Sequence, residues 1–197
     1  MNLVLRALIL ADLFILGGFG LVQPIFAVYM LQNLGGATVA SVGVALTVQL
    51  FVKAVFQILV GKWGDEEKGN KRELLCLLAG SILISFVPIG FVFAKNVGHV
   101  YLIQALFGFG QALNYPSWRV MFSRYTLHDK AGYQWGVYDT VVSLATAASA
   151  ALGGFIAQSY SFHYLFLLVS FLSFIGTGFI VHIFKHEFTR ESRKSSK

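Results

Sequence analysis

The chain has 197 residues, of which 56% are hydrophobic and only 12% are charged. Because an average soluble domain carries about 25% charged residues, this composition excludes an ordinary water-soluble domain and predicts a protein that lies in a lipid bilayer. The net charge of +6 is distributed over short segments beside apolar stretches, which excludes the clustered basic face of a nucleic-acid-binding protein. The single cysteine, Cys76, excludes an intrachain disulfide.

Six stretches are long and apolar enough to cross the bilayer, whose hydrocarbon core requires about 20 residues of helix. In chain order they cover about residues 7–31, 38–61, 73–94, 97–118, 135–157 and 162–184, and they are called spans 1 to 6 below. Span 1 is too long for a secretory signal and lacks its cleavage pattern, so we expect it to remain as a helix. The sequence therefore predicts an all-α transmembrane domain over residues 1–184. A basic cytoplasmic tail over 185–197 is expected to be disordered and to lie against lipid headgroups.

The basic residues are distributed unevenly around these spans. Thirteen of the 15 Lys and Arg residues lie at the N-terminus, in the connections between spans 2 and 3 and between spans 4 and 5, or in the C-terminal tail. Only Lys95 lies in a connection on the opposite side, and Lys53 lies within span 2. The positive-inside rule then predicts a multi-pass protein of the inner (cytoplasmic) membrane with both termini in the cytoplasm.

Short patterns recur between the two halves of the chain. Gly-Phe-Gly at 18–20 in span 1 returns at 108–110 in span 4, and Gly-Val-x-x-Thr-Val at 43–48 in span 2 returns at 136–141 in span 5. Because the repeating unit contains three spans, an odd number, the second copy must enter the membrane upside down. We therefore expect two inverted three-helix repeats, a construction common among secondary transporters.

The connection between spans 2 and 3 carries a recognisable pattern, G-K-W-G-D-E-E-K-G-N-K-R over residues 61–72. It resembles the signature loop G-x-x-x-D-R-x-G-R-R of the major facilitator superfamily, which lies between the second and third helices of that family. The matching residues are Gly61, Asp65, Gly69, Lys71 and Arg72. Two departures are visible: Asp65 and Gly69 are four residues apart where the family has three, and Glu66 stands where the family has a basic residue.

The resemblance covers the whole chain as one half of the family's usual twelve helices. It implies a half-size secondary transporter that moves a small solute by alternating access. The second half would be another copy of this chain, in a parallel homodimer, or a separate chain. Spans 1 and 4 would then line the path, and spans 2 and 5 would face the other half. The resemblance also implies a cytoplasmic latch in which Asp65 competes for Arg119 or Arg124. A non-transporting membrane scaffold is the alternative interpretation.

Three ionisable side chains lie inside or just inside the predicted spans, those of Asp12, Lys53 and Asp139. A charge at the centre of a membrane helix costs about 2.5–3.5 kcal/mol on insertion scales, so these residues are candidates for coupling transport to a proton or another cation. Asp12 and Lys53 are expected at similar depths on neighbouring helices, either as a coupling carboxylate with its partner or as a structural ion pair. Asp139 is expected to form a salt bridge with Arg119 or to contact the solute.

Amide side chains within the spans can line a solute path or form hydrogen bonds between helices. Gln23 directly precedes Pro24, and Asn114 lies two residues before Pro116. Broken or kinked segments at corresponding places in two repeats often mark a transporter's site. The residues that we expect to line the path are Gln23, Gln111, Asn114, Gln104 and Gln49.

A membrane enzyme is the competing class. The sequence contains no G-x-S-G serine-protease motif, and its five histidines lie at or near the ends of spans, away from the depth at which a haem or quinone enzyme needs them. His182 and His186 have the spacing of metal ligands but lack a third ligand. The sequence therefore predicts no catalysis, no cofactor and no metal. Trp118 and Tyr125 are interpreted as part of an aromatic belt at the cytoplasmic interface.

Overall fold

A computed structural model describes residues 2–66 and 70–195, with side chains to residue 187. Within these residues the backbone is almost entirely helical and contains no strand. The helices are α1 (Leu3–Gly20), α2 (Phe26–Asn33), α3 (Val39–Asp65), α4 (Lys71–Val92), α5 (Val97–Tyr125), α6 (Ala131–Ser159) and α7 (Phe162–Ser195). The fold is the all-α membrane-spanning bundle that the sequence predicts.

Span 1 is divided at Pro24. α1 ends at Gly20, a 3-10 turn covers Gln23–Ile25, and α2 completes the span. Proline has no amide hydrogen, and its ring opposes the carbonyl four residues earlier, here that of Gly20. α5, by contrast, continues through Pro116 as one helix. The interruption therefore places irregular backbone in the middle of the bundle on one side only.

Side-chain caps determine where α3 and α5 begin. The Thr38 and Ser41 side chains each accept a hydrogen bond from the other's backbone N–H, at 3.2 and 2.8 Å. The Asn96 side chain accepts a hydrogen bond from the His99 amide at 3.0 Å. These caps satisfy amides in the first turn that have no partner within the helix.

Each helix has a preferred set of neighbours. α5 packs against α3 and α4, α1 packs against α6 and α7, and α4 packs against α7. Exchanging the first three spans for the last three reproduces this pattern: α3 lies on α5 as α6 lies on α1, and α4 lies on α5 as α7 lies on α1. This exchange is the pattern expected of two three-helix repeats, and their inverted relation stays a prediction.

Glycines permit close approach at these helix contacts. A Cβ atom added to Gly108 of α5 would overlap the backbone carbonyl of Gln49 on α3. One added to Gly153 of α6 would overlap the carbonyl of Leu21, just after α1. Small residues let membrane helices pack backbone against backbone, where van der Waals contact replaces the hydrophobic effect.

Two apolar clusters close the ends of the bundle. The basic end, where α4 begins and α5 and α7 end, contains Leu5, Leu8, Leu77, Phe122 and Ile180, all nearly inaccessible. The opposite end is filled by an aromatic cluster that includes Tyr29, Phe91 and Phe166, in which the Tyr29 hydroxyl donates to the Phe91 carbonyl at 2.8 Å.

Five segments of the described chain are long and apolar enough to cross a bilayer. They are Leu3–Asn33, Val39–Asp65, Lys71–Val92, His128–Ser159 and Phe162–Glu187. α5 is long enough at 29 residues but carries more polar side chains, among them Gln104, Gln111 and Asn114. It packs between α3 and α4, and polar residues in membrane helices normally face the bundle interior.

The C-terminal segment differs from the expectation of a disordered tail. α7 extends from Phe162 to Ser195, about ten residues beyond the predicted end of span 6. Glu187 is buried on this extension and accepts hydrogen bonds from Tyr125 of α5 and Asn70, just before α4. These contacts hold the part of α7 just beyond residue 184 against α5 and the beginning of α4.

Candidate functional site

A cavity of about 680 Å³ lies between the two apolar clusters. Its wall is formed mainly by α1, α3, α5 and α6, with the 3-10 turn at Pro24 on one side. Aromatic rings supply much of the apolar surface: Phe19 and Phe107 stack with their centroids 4.7 Å apart, and Trp118 lies near Tyr138. The volume is within the range of about 300–1,000 Å³ that is typical of small-molecule pockets.

The five amides predicted to line a path all lie on the wall of this cavity. Gln49 of α3 donates to Gln111 of α5 at 3.0 Å, and Asn114 donates to the Ser81 hydroxyl of α4 at 2.7 Å. Gln23 is exposed on the broken segment of span 1. Gln104 is 3% exposed, and within the described residues its side-chain oxygen has no hydrogen-bond partner. Whether a solute follows this wall stays a prediction.

Asp12 lies on the α1 side of the cavity and is 7% exposed. The Tyr138 hydroxyl of α6 donates a hydrogen bond to its carboxylate at 2.9 Å. A buried carboxylate is costly in a low-dielectric interior unless it is hydrogen-bonded or protonated. The pair therefore joins α1 to α6 by a hydrogen bond on the cavity wall.

Lys53 lies on the opposite, α3 side of the cavity. Its ammonium group is 4.4 Å from the centroid of the Tyr115 ring of α5. The Arg119 guanidinium is also 4.4 Å from that ring and donates to the Tyr115 hydroxyl at 2.5 Å. Cations are attracted to the negative face of an aromatic ring, so Tyr115 holds Lys53 on the wall close to Arg119, which is exposed and lies outside the wall.

The structure does not form the two ion pairs that the sequence suggests. α1 packs on α6 and α7, not on α3, so Asp12 bonds to Tyr138 and Lys53 to Tyr115 instead of to each other. Asp139 is one residue beyond Tyr138, so it projects about 100° around α6 and is exposed. It is absent from the cavity wall and forms no ion pair with Arg119.

Residues of the signature connection contact one another on either side of segment 67–69. The predicted Gly69 lies in this segment, outside the described residues. Arg72 donates to the Trp63 carbonyl at 2.8 Å, forms an ion pair with Glu66 at 3.3 Å and stacks on the Trp63 ring. Gly61 is half-buried, while Asp65 and Lys71 are exposed. These contacts connect the end of α3 to the beginning of α4.

Arg124, one of the two latch candidates, contacts groups other than Asp65. Its guanidinium pairs with Glu73 in the first turn of α4 at 3.2 Å and also donates to the Asn70 side chain. Asn70 and the Tyr125 hydroxyl both donate to the buried Glu187 carboxylate of α7. This basic-end cluster (Asn70, Glu73, Arg124, Tyr125 and Glu187) joins α4, α5 and α7.

Sequence reasoning missed the residues that complete these contacts. Tyr115 lies four residues before Arg119, and this helical spacing was the available signal for their contact. No comparable signal marks Tyr138 or Glu187, because their partners lie on distant helices. Trp118, which the sequence suggested as part of an interfacial belt, is 4% exposed and packs on Phe122 and Tyr138 at the cavity.

The fold and the cavity together define a class of protein: an α-helical membrane protein whose bundle contains a solute-sized, partly polar cavity that is open on one side. The sequence model of the Major Facilitator Superfamily matches residues 8–197. The chain belongs to this superfamily.

Curated relatives resemble most of the chain. It is 27% identical over 177 residues to a Lactococcus lactis subsp. lactis (strain IL1403) protein named multi-drug resistance efflux pump PmrA homolog, a match that covers 88% of this chain and 42% of the relative. It is 27% identical over 186 residues to the multidrug resistance protein MdtG of Proteus mirabilis (strain HI4320), covering 91% of this chain and 44% of the relative. An uncharacterized MFS-type transporter of Bacillus subtilis (strain 168), YitZ, is 27% identical over 124 residues, which are 62% of this chain and 73% of that protein. The chain therefore spans less than half the length of the first two relatives.

Proposed function

We propose that this chain forms one six-helix half of a secondary transporter that moves a small amphipathic solute across the membrane by alternating access. The observation that carries the proposal is the cavity itself: a volume of about 680 Å³ lined by aromatic rings, five amides and two ionisable groups. A scaffold without transport activity has no need to keep polar side chains at this depth, where each one is costly. Membership of the Major Facilitator Superfamily favours a carrier over an enzyme.

The second half is proposed to be another copy of this chain in parallel orientation. Leu50, Phe51 and Ile58 of α3 and Leu144 and Phe155 of α6 are all more than half exposed, so α3 and α6 bury little of their surface within the bundle. A parallel two-fold arrangement would cover both helices and close the open side of the cavity. The alternatives are a separate partner half and a scaffold role. Measuring the oligomeric state distinguishes them from a homodimer.

The membrane and the orientation are also part of the proposal. We place the chain in the inner (cytoplasmic) membrane. The end of the bundle that carries both termini then faces the cytoplasm. The support is the charge distribution, since the basic end holds Arg72 and Arg124 whereas Lys95 is alone at the other. The positive-inside rule relates such an asymmetry to orientation.

Coupling to protons is proposed to occur at Asp12. Its carboxylate lies on the cavity wall and has a hydroxyl partner in place of a permanent cation. Protonation would remove the charge that the Tyr138 hydrogen bond stabilises and so weaken the link between α1 and α6. Because these two helices belong to different repeats, the proton could bias one of the two access states over the other.

Transport can be tested with the full chain reconstituted in lipid vesicles, by following uptake of a panel of neutral, cationic and anionic amphipathic dyes with and without a proton gradient. Gln49→Leu removes an amide from the cavity wall and should lower the initial rate about tenfold, the equivalent of one good polar contact. Gln57→Leu is the matched control, because Gln57 lies on the same helix outside the cavity wall. Wild-type vesicles that take up no dye faster than empty ones would contradict the proposal.

A further inference from the structure

We propose that the cavity recognises an amphipathic organic anion, with its negative group at Lys53 and Arg119 and its apolar body against the aromatic wall. The inference rests on the proposed transport function and specifies its substrate class. It starts from one feature beside the cavity: Lys53 on the wall and the exposed Arg119, just outside it, share a single aromatic ring, with Lys53 Nζ and Arg119 Cζ each 4.4 Å from the centroid of Tyr115.

The two cations lack a counterion in the described part of the chain. Neither Lys53 nor Arg119 has a carboxylate within 4.0 Å, in contrast to Arg72 and Arg124 at the basic end, which pair with Glu66 and Glu73. The ring of Tyr115 is neutral, so it offsets part of the repulsion between the two charges without removing their net charge of about two. Such a site gains most from a ligand that brings a negative charge.

None of the nearby described aspartates pairs with Lys53 or Arg119. Asp12 belongs to the α1 side and accepts the hydrogen bond of Tyr138. Asp139 is exposed on α6 outside the cavity wall, and Asp65 is exposed at the end of α3. The place of the counterion is thus left to a group that enters the cavity.

The position of Lys53 argues against a role in anchoring the helix to lipid headgroups. Lys53 precedes the last residue of α3, Asp65, by 12 positions, which is about 18 Å along the axis. A lysine that serves as an anchor extends its side chain towards the near interface. The Lys53 side chain is instead directed at Tyr115 on the cavity wall.

The remainder of the wall suits the rest of such a molecule. Phe19, Phe107 and Trp118 offer ring surfaces, and Gln111 offers an amide beside Gln49. Aromatic rings of a ligand stack on such surfaces, while the negative group defines its orientation. The proposed ligand therefore has a flat apolar body with one carboxylate or sulfonate at its end.

The test uses three probes with one apolar body: 2-naphthoate, the neutral 2-naphthamide and the cationic 2-naphthylmethylammonium. Binding to the full chain in lipid nanodiscs is measured by isothermal titration calorimetry against empty nanodiscs. We expect 2-naphthoate to bind wild type at least about tenfold more tightly than 2-naphthamide. Lys53→Gln and Arg119→Gln should each remove most of that preference without changing the affinity for 2-naphthamide.

Two further variants control for a change in folding or in overall charge. Lys53→Arg keeps the cation and should retain the preference, and Lys62→Gln removes an exposed lysine from the same helix outside the cavity and should leave it unchanged. Equal wild-type affinity for 2-naphthoate and 2-naphthamide would overturn the proposal, as would equal losses for both probes in Lys53→Gln. A counterion supplied by the second half would produce the first of these outcomes.

Failure of this inference can be told apart from failure of the transport proposal. If vesicles transport a neutral or cationic dye but the chain shows no binding preference for 2-naphthoate, the transport proposal stands and the anion site is excluded. If the chain binds 2-naphthoate selectively but takes up no dye, the anion site stands and the transport proposal is contradicted.

Discussion

Tyr138 and Tyr115 hold the two ionisable groups of the cavity wall. The first donates its hydroxyl to Asp12, and the second presents its ring to Lys53. In both cases the tyrosine comes from another helix and stabilises the charge in place of water, by a hydrogen bond or by the negative face of its ring. Each charge can therefore remain at a depth where an unaccompanied one is costly.

Asp12→Asn tests whether the carboxylate couples transport to protons. Asparagine has nearly the same shape and can still accept the Tyr138 hydrogen bond, so the bundle should fold, but it cannot exchange a proton. We expect proton-driven accumulation of a transported dye in vesicles to fall at least about tenfold, while exchange of dye across the membrane without a gradient continues. Tyr138→Phe keeps the carboxylate and removes its donor, so it should alter the pH dependence rather than abolish accumulation. Normal accumulation by Asp12→Asn would exclude this role.

Helix contacts depend on glycine at the elements that form the cavity wall. α3 and α5 approach closely where Gly108 faces the Gln49 backbone, next to the hydrogen bond between Gln49 and Gln111. The contact between α4 and α5 is similar, since a Cβ on Gly80 would lie 2.6 Å from the Asn114 backbone nitrogen. The positions of three cavity amides thus follow from two glycine contacts.

Gly108→Ala should destabilise the protein because its methyl group would force α3 and α5 apart. Overpacking of this kind costs about 1–3 kcal/mol, which should lower the thermal unfolding midpoint in detergent by several degrees and weaken dye uptake. Gly43→Ala on α3 is the matched control, because a Cβ there would meet no atom within 4 Å. It should be neutral or slightly stabilising, since alanine favours helix over glycine. Equal midpoints for the two variants would show that the α3–α5 contact is not tight.

At the scale of the whole molecule, the bundle has one well-packed side and one open side. α4 and α7 pack against each other and against α5 and α1, whereas α3 and α6 carry exposed apolar side chains such as Phe51 and Phe155. In lipid an apolar surface alone does not drive association, so a second half must also offer shape complementarity. The open cavity and the exposed helices lie on the same elements.

The oligomeric state in mild detergent tests the proposed second half. The chain expressed alone should have a protein mass of twice 21.7 kDa by light scattering corrected for detergent, since a parallel dimer would cover α3 and α6. Phe51→Lys should convert it to a monomer, while Phe86→Lys, on the outer side of α4, should not. Tags at the two termini should both be protected from a protease added outside intact cells. A stable monomer that shows no uptake would favour a separate partner half or a scaffold.

Prediction from the sequence was most successful where a feature depends on one segment alone. The break at Pro24 is the example, because it follows from the chemistry of proline in the Gln23-Pro24 pair. The cavity amides could be named because polar groups in membrane helices must face inward. Their partners could not be named, because Ser81 and Tyr138 come from helices whose neighbours the sequence does not reveal.

The sequence by itself determined that the chain is an all-α bundle whose apolar segments are long enough to cross a bilayer. These properties arise from the free energy of each segment in a bilayer, to which residues contribute one at a time. Only the tertiary structure decided that Asp12 meets Tyr138, that Lys53 shares Tyr115 with Arg119, and that Arg124 pairs with Glu73 instead of Asp65. Such pairings depend on how closely helices distant in the chain can approach, which is decided by shape and by glycines such as Gly108 rather than by hydropathy.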